Sequence, residues 1–173
     1  MTTLALSIGS NINADSNIRA ALDALNLEFE NIRSSTTYES QAVGFDGDNF
    51  LNLVVLADTN KGLDDVITLL KRLEDRLGRD RLLTRFSGRT MDIDIILYGN
   101  KSGMFCGIEL PRPEVAENAY VLQPLSELLP DMVHPSTGMS YLKLWQEYDK
   151  SKQRLWAVET DWPMSSTGLT GRS

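Results

Sequence analysis

An α+β fold is predicted for this 173-residue sequence from three observations. Short runs rich in β-branched and aromatic residues alternate with two stretches of helical period, turn residues mark the junctions, and two further helical patches follow the last strand. Residues 3–8, TLALSI, form an apolar run ending at Gly9 and read as a buried strand. A helix follows, capped by Asp15 or Ser16, with Ile18, Ala21, Leu22 and Leu25 on one face. Residues 31–43 and 50–58 read as strands separated by a Gly44–Asp48 loop. Leu63, Val66, Ile67, Leu70, Leu73 and Leu77 trace a second helix that opens on Asp64 and Asp65 and stops at Gly78. Residues 91–98, MDIDIILY, form a strand that turns through Gly99–Gly103 as a hairpin into another ending near Leu110. Helical patches around 117–129 and 139–148 come last, the second held down by Leu142, Trp145 and Tyr148. Strand, helix, strand, strand, helix, strand is the split βαβ order of ferredoxin-like folds, here with an added C-terminal hairpin and helices. One catalytic domain is expected over residues 1–160, with a small, polar, disordered tail over 161–173.

Composition narrows the function. The net charge of −7 argues against nucleic-acid binding, no apolar run reaches the roughly 20 residues of a membrane span, and the N-terminus has no basic flank of a secretory signal. The single cysteine, Cys106, fits a reducing cytoplasm. Charge is unevenly spread: residues 71–90 hold seven of the 17 Lys and Arg against three acids, so this stretch is +4 and the rest −11. A focused cationic segment in an acidic chain suits a small polyanion, although a solvated helix end running into a basic loop would look the same.

Asp92-Ile-Asp94 is the most informative element. In a strand both carboxylates project from one face while Ile93, Ile95 and Leu97 project from the other. Like charges this close need a cation or several donors, and carboxylate and phosphate oxygens are what Mg²⁺ prefers. A wet polar strand face accounts for an isolated D-x-D equally well. Arg89, and Arg79, Arg81 and Arg85 before it, bring guanidinium groups to the same place, the combination that phosphoryl transfer requires. A P-loop is excluded, because Leu83 stands where Gly88-Arg89-Thr90 would need a preceding glycine.

The stretch Gly78-Arg79-Asp-Arg81, then Arg85-Phe-Ser-Gly-Arg89-Thr-Met-Asp92-Ile-Asp94, resembles the signature of the 6-hydroxymethyl-7,8-dihydropterin pyrophosphokinases of folate biosynthesis. Ile8-Gly9-Ser10-Asn11, Tyr38 through Asn52, Glu74, and Leu110-Pro111 through Pro130 fall in family order, so the likeness spans roughly residues 4 to 148. The resemblance implies transfer of a diphosphate from ATP to the pterin's hydroxymethyl group, with release of AMP. It implies two Mg²⁺ ions on Asp92 and Asp94, with Arg79, Arg81 and Arg89 as catalytic phosphate contacts. It also implies a nucleotide site with Glu74, Ile95 and Arg112, and a pterin site with Phe50 and Tyr120 as stacking rings. Asn52 would read the pterin edge, and Ser40 and Val43 would add backbone contacts. The implied partners are ATP and the pterin, with no nucleic acid and no membrane, for a cytoplasmic monomer.

Five positions depart from the family pattern. Arg112 replaces a histidine, Asn118 an arginine, Phe86 a tryptophan, and Ser87-Gly88 a Gly-Pro. An arginine can hold phosphate but cannot accept a hydrogen bond or titrate near neutral pH. The alternatives are a non-catalytic or altered-specificity paralogue that binds pterin or nucleotide, and an RNA-binding module on a similar frame. The acidic charge and the missing aromatic strand motif count against the latter.

Overall fold

The computed structural model describes residues 1–41, 49–77 and 91–160. In chain order the elements are β1 (Thr2–Ser10), α1 (Ala14–Glu28), β2 (Glu30–Ser34), β3 (Thr37–Ser40), β4 (Phe50–Thr59), α2 (Leu63–Leu77) and β5 (Asp92–Tyr98). Then come β6 (Gly103–Phe105), β7 (Ile108–Leu110), α3 (Glu114–Glu117), α4 (Ala119–Leu128), α5 (Tyr141–Glu147) and β8 (Leu155–Val158). The main sheet runs β5-β1-β4-β3-β8, and β2 also pairs with β4. Its pairings are antiparallel. Antiparallel alternation sends side chains to two faces, and both are covered near the sheet centre.

On one face Leu6, Ile8, Leu53, Val55, Ile93 and Ile95 meet the apolar stripes of α1 and α2. On the other, Ala5, Val54, Leu56 and Ile96 meet Val121, Leu122, Leu125 and Tyr141 from α4 and α5. Each fully buried large apolar side chain contributes about 1.5–3 kcal/mol, so these two layers hold β1, β4 and β5 in fixed register. α4 covers only part of its face. Beyond it, the ends of β1, β4 and β5 carry Gly9, Asn52 and Asp92 side by side, with Gly9 paired to both neighbours.

The expected order of strands and helices is observed, with local differences. α1 buries the four predicted apolar residues, but it starts from Asn13, whose φ is 48°, and no side-chain oxygen caps it; Asp15 lies inside the first turn. The single strand expected over 31–43 is broken into β2 and β3 between Ser34 and Thr37. Ser35 sits in that break, where its backbone N–H donates to Val54 O and its hydroxyl accepts from Val54 N–H. The strand after residue 99 does not pair back onto β5. β6 instead pairs with β7, turning at Cys106 and Gly107, whose φ angles are 53° and 83°.

Leu97 joins the same core layer as Ile96, against the strict alternation expected for it. A register shift opposite Ala5 and Leu6 inserts an extra residue there, and the alternation changes phase. The anchor of α5 is Tyr141, fully buried, while Leu142 is 40% exposed and Trp145 and Tyr148 pack only partly. β8 has no counterpart among the predicted elements. Four residues, two of them exposed, are too few to show a period. Among the described residues no helix is long and apolar enough to cross a membrane. The expectations for the Gly44–Asp48 loop, the Gly78 stop and the tail from 161 lie outside the described residues.

Candidate functional site

Where the sheet extends past α4, a cleft of about 290 Å³ opens on the side of the sheet that α4 covers. Asp92 and Asp94 form one wall from β5, Phe50 and Asn52 come from β4, Ser40 from β3, and Tyr120 from the start of α4. Strand pairing accounts for this convergence. Gly9 is paired to Asp92 on one side and Asn52 on the other, while Ser7 is paired to Asp94. A methyl group on Gly9 would sit 3.3 Å from Asn52 Oδ1, so the absence of a side chain there leaves room for the amide.

Asn52 is 5% exposed, and its Nδ2 donates to Ser40 Oγ at 2.9 Å and to Tyr38 O at 3.3 Å. Its Oδ1 accepts no hydrogen bond from the described residues and is the half of the amide left for a ligand donor. The Tyr120 phenol is pushed above its usual pKa range by burial first, then by the carboxylates of Glu114 and Asp92. The same hydroxyl accepts from Asn118 Nδ2 at 3.0 Å.

A second recess of about 170 Å³ adjoins the cleft and includes Glu74, Ile95, Arg112 and Lys71, with Asp94 common to both spaces. Glu74 Oε2 accepts from the Ile93 N–H at 2.6 Å, tying α2 to β5 beside the aspartates. Arg112 is tied to the same strand, its backbone N–H donating to Ile96 O at 3.0 Å and its Nε to Ile95 O at 3.1 Å. The Ile95 side chain is 3% exposed and packs in the core beneath α1 and α2. A third recess, also about 170 Å³, lies between Arg112, Asn118 and Tyr120, and Asp94 borders it too. Asp94 is thus the point where all three spaces meet.

The structure brings Ser40, Phe50, Asn52, Asp92, Asp94 and Tyr120 around one cleft and sets Glu74, Ile95 and Arg112 next to it. Val43, Arg79, Arg81 and Arg89 lie outside the described residues, so the cationic segment has no described place in the site. Sequence reasoning missed Ser7, Gly9 and Gln41 as cleft residues and Lys71 in the recess. Ser7 and Gly9 could have been found by placing the first strand beside D-x-D, since they then share its polar face.

Residues 5–130 match the family model for 7,8-dihydro-6-hydroxymethylpterin-pyrophosphokinase (HPPK). The chain belongs to the HPPK family. A 2-amino-4-hydroxy-6-hydroxymethyldihydropteridine pyrophosphokinase of Aquifex aeolicus is 33% identical over 137 residues, which are 78% of this chain and 85% of that protein. The folic acid synthesis protein of Pneumocystis carinii is 31% identical over 147 residues, 82% of this chain but 20% of that protein. Wild-type HPPK-DHPS of Plasmodium falciparum superposes with a TM-score of 0.67 at 13% identity, over 87% of this chain and 42% of that one. The chain therefore spans most of the Aquifex relative and less than half of the two longer ones, and the Plasmodium likeness speaks to the fold alone. The HPPK match ends at residue 130, so α5 and β8 lie beyond it.

Proposed function

We propose that this HPPK-family chain transfers a diphosphate from ATP to the hydroxymethyl group of 6-hydroxymethyl-7,8-dihydropterin and releases AMP. The observation that carries the reading is one cleft with two aspartates on one wall and an aromatic and amide lining on the other, Phe50, Tyr120 and Asn52. A flat heteroaromatic ring suits the aromatic part, and Asn52 Oδ1 faces it as an acceptor for a ring N–H. The hydroxymethyl arm would then point toward Asp92 and Asp94.

Mg²⁺ fits the donor set on this wall. Asp92 and Asp94 offer only oxygen ligands from one strand face, and among the described residues no third carboxylate, histidine or cysteine joins them in a metal-binding group. That suits an ion which keeps several waters and takes its remaining ligands from substrate phosphates. Two ions, as the resemblance implies, would be shared between these carboxylates and the nucleotide. When bound, Mg²⁺ supplies neutralisation of the polyphosphate charge.

The chain's own residues bind and orient. Arg112, braced on Ile95, faces the space around Asp94 with its remaining guanidinium donors, a position that suits a phosphate oxygen. Glu74 fixes the start of β5 and so the spacing of the two aspartates. Arg79, Arg81 and Arg89 are proposed as further phosphate contacts. As the bond from the hydroxymethyl oxygen to the β-phosphorus forms, the proton of that oxygen passes to solvent, the bond from the β-phosphorus to the α,β-bridging oxygen breaks, and AMP departs carrying that oxygen and the electron pair. Positioning and charge stabilisation account for the catalysis, as in phosphoryl transfer generally. A cytoplasmic monomer acting on two small substrates is part of the proposal, and the net charge of −7 counts against a nucleic-acid substrate.

Incubation with Mg-ATP and the pterin, followed by chromatography, tests this reading. AMP and pterin diphosphate should appear in equal amounts and only when both substrates are present. Pterin or nucleotide binding without any AMP would point instead to the non-catalytic paralogue.

A further inference from the structure

Three side chains beyond the metal wall form a chain of hydrogen bonds with a definite direction. It starts at the first turn of α4, where the backbone N–H of Ala119 donates to Gln153 Oε1 at 2.7 Å. A backbone N–H can only donate, so it fixes which end of the Gln153 amide is oxygen. Gln153 Nε2 must then face Asn118, and it donates to Asn118 Oδ1 at 3.0 Å. That leaves the Asn118 Nδ2 to face Tyr120, where it donates to the hydroxyl oxygen at 3.0 Å. The phenol is therefore an acceptor on its Asn118 side. Its own proton is left for a partner elsewhere, and among the described residues it has none.

The position of that proton follows from the neighbouring spaces. Tyr120 lines the main cleft with Phe50 and Asn52, and it also lines the recess beside Asn118, Arg112 and Asp94. Asn118 lines that recess but not the cleft, so the hydroxyl end of Tyr120 lies on the recess side.

We propose that Gln153 and Asn118 are positioning residues which orient the Tyr120 hydroxyl as a hydrogen-bond donor to a polyphosphate oxygen of the nucleotide held at Asp94. The inference rests on the function proposed above. It makes the segment after α5, outside the HPPK match, part of the site. It also gives Asn118 a role that needs no direct ligand contact.

Isosteric variants reverse the relay without removing any atom of its frame. In Gln153→Glu the carboxylate still accepts from Ala119 but cannot donate to Asn118, so the Asn118 amide turns its nitrogen to residue 153 and its oxygen to Tyr120. The phenol proton is then drawn to Asn118 and lost to the ligand. Asn118→Asp does the same by replacing the donor to Tyr120 with an acceptor. Binding of α,β-methylene-ATP with Mg²⁺, and of the pterin separately, is measured by calorimetry for wild type, Tyr120→Phe, Gln153→Glu, Asn118→Asp and the two double variants with Tyr120→Phe.

Tyr120→Phe should weaken the nucleotide analogue roughly 10-fold or more, the scale of a hydrogen bond to a charged group, with pterin affinity kept within about twofold. Both isosteric variants should show the same loss alone and almost none in the Tyr120→Phe background. A loss that persists in full in that background would make it an effect of added charge or of packing, and would overturn the relay, as would unchanged analogue affinity in Tyr120→Phe. A wild-type chain that fails to bind the analogue sinks the functional reading and the relay with it. Analogue binding without turnover sinks only the functional reading.

Discussion

The terminal guanidinium nitrogen of Arg112 stands 4.0 Å from Asp94 Oδ1, while its Nε is spent on the Ile95 carbonyl of the same strand. The pair is partly exposed, so its direct contribution to stability is small. Its consequence is placement. Arg112→Ala should weaken ATP binding by about 1.5–3 kcal/mol, the range for hydrogen bonds involving a charged group. Arg112→His should recover part of this, and Arg112→Lys less than its charge suggests, because lysine cannot keep both the Ile95 bond and a phosphate contact. Equilibrium binding of an ATP analogue decides it; unchanged affinity in the alanine variant places Arg112 outside the nucleotide site.

Asp92→Ala and Asp94→Ala should each abolish turnover with the fold intact. Both carboxylates project from one face of a strand whose other face is buried. Without Mg²⁺, removing one of two adjacent like charges should leave thermal stability level or raise it. Near wild-type AMP formation by either variant would remove the metal assignment.

Gly9→Ala tests the role of empty space. The new methyl group would lie 3.3 Å from Asn52 Oδ1, which must shift by a few tenths of an ångström. Pterin affinity should fall roughly 3- to 10-fold from misplacement of the amide, with ATP analogue affinity unchanged. Equal effects on both ligands would point to a general distortion of β1.

Glu74 is expected to matter for stability as well as for the nucleotide. Glu74→Ala removes the acceptor of the Ile93 N–H and should cost about 1–3 kcal/mol in urea denaturation. Glu74→Gln keeps a carbonyl oxygen for that bond and should lose much less. If the two variants unfold alike, the bond to β5 is not what Glu74 contributes.

Tyr141 gives a pH dependence. Its buried hydroxyl has no hydrogen-bond partner among the described residues, and burial pushes its pKa from 10.0 to about 12. Tyr38 is raised to the same value, by burial first and then by Glu127. Because the folded pKa exceeds the unfolded one, the stabilisation is complete below pH 10 and is lost as pH rises from about 10 to 12, at up to about 1.4 kcal/mol per unit for each group. Tyr141→Phe should therefore reduce the alkaline loss and leave stability at pH 7 unchanged or slightly raised. An unaltered alkaline profile in denaturant titrations would show that Tyr141 does not carry it.

The sequence by itself determined the order of the core strands and helices, the apolar faces of α1 and α2, and the pairing of Asp92 with Asp94 on one strand face. These follow from periods of 3.6 and 2 and from local turn chemistry, which act within a few residues. The family likeness added Ser40, Phe50, Asn52 and Tyr120, although nothing in their spacing sets them apart from core residues. Only the tertiary structure decided that Gly9 lies between Asp92 and Asn52, because strand pairing joins residues more than 40 positions apart and leaves no local signature. The phase change at Leu97 was hidden for the same reason. The full burial of Tyr141 follows from packing of α5 in the core layer under the sheet, and β8 is too short to show a period. Gln153 is the clearest case. A lone amide in a polar stretch carries no sequence signal, and its direction is imposed by the Ala119 N–H of a helix 34 residues away.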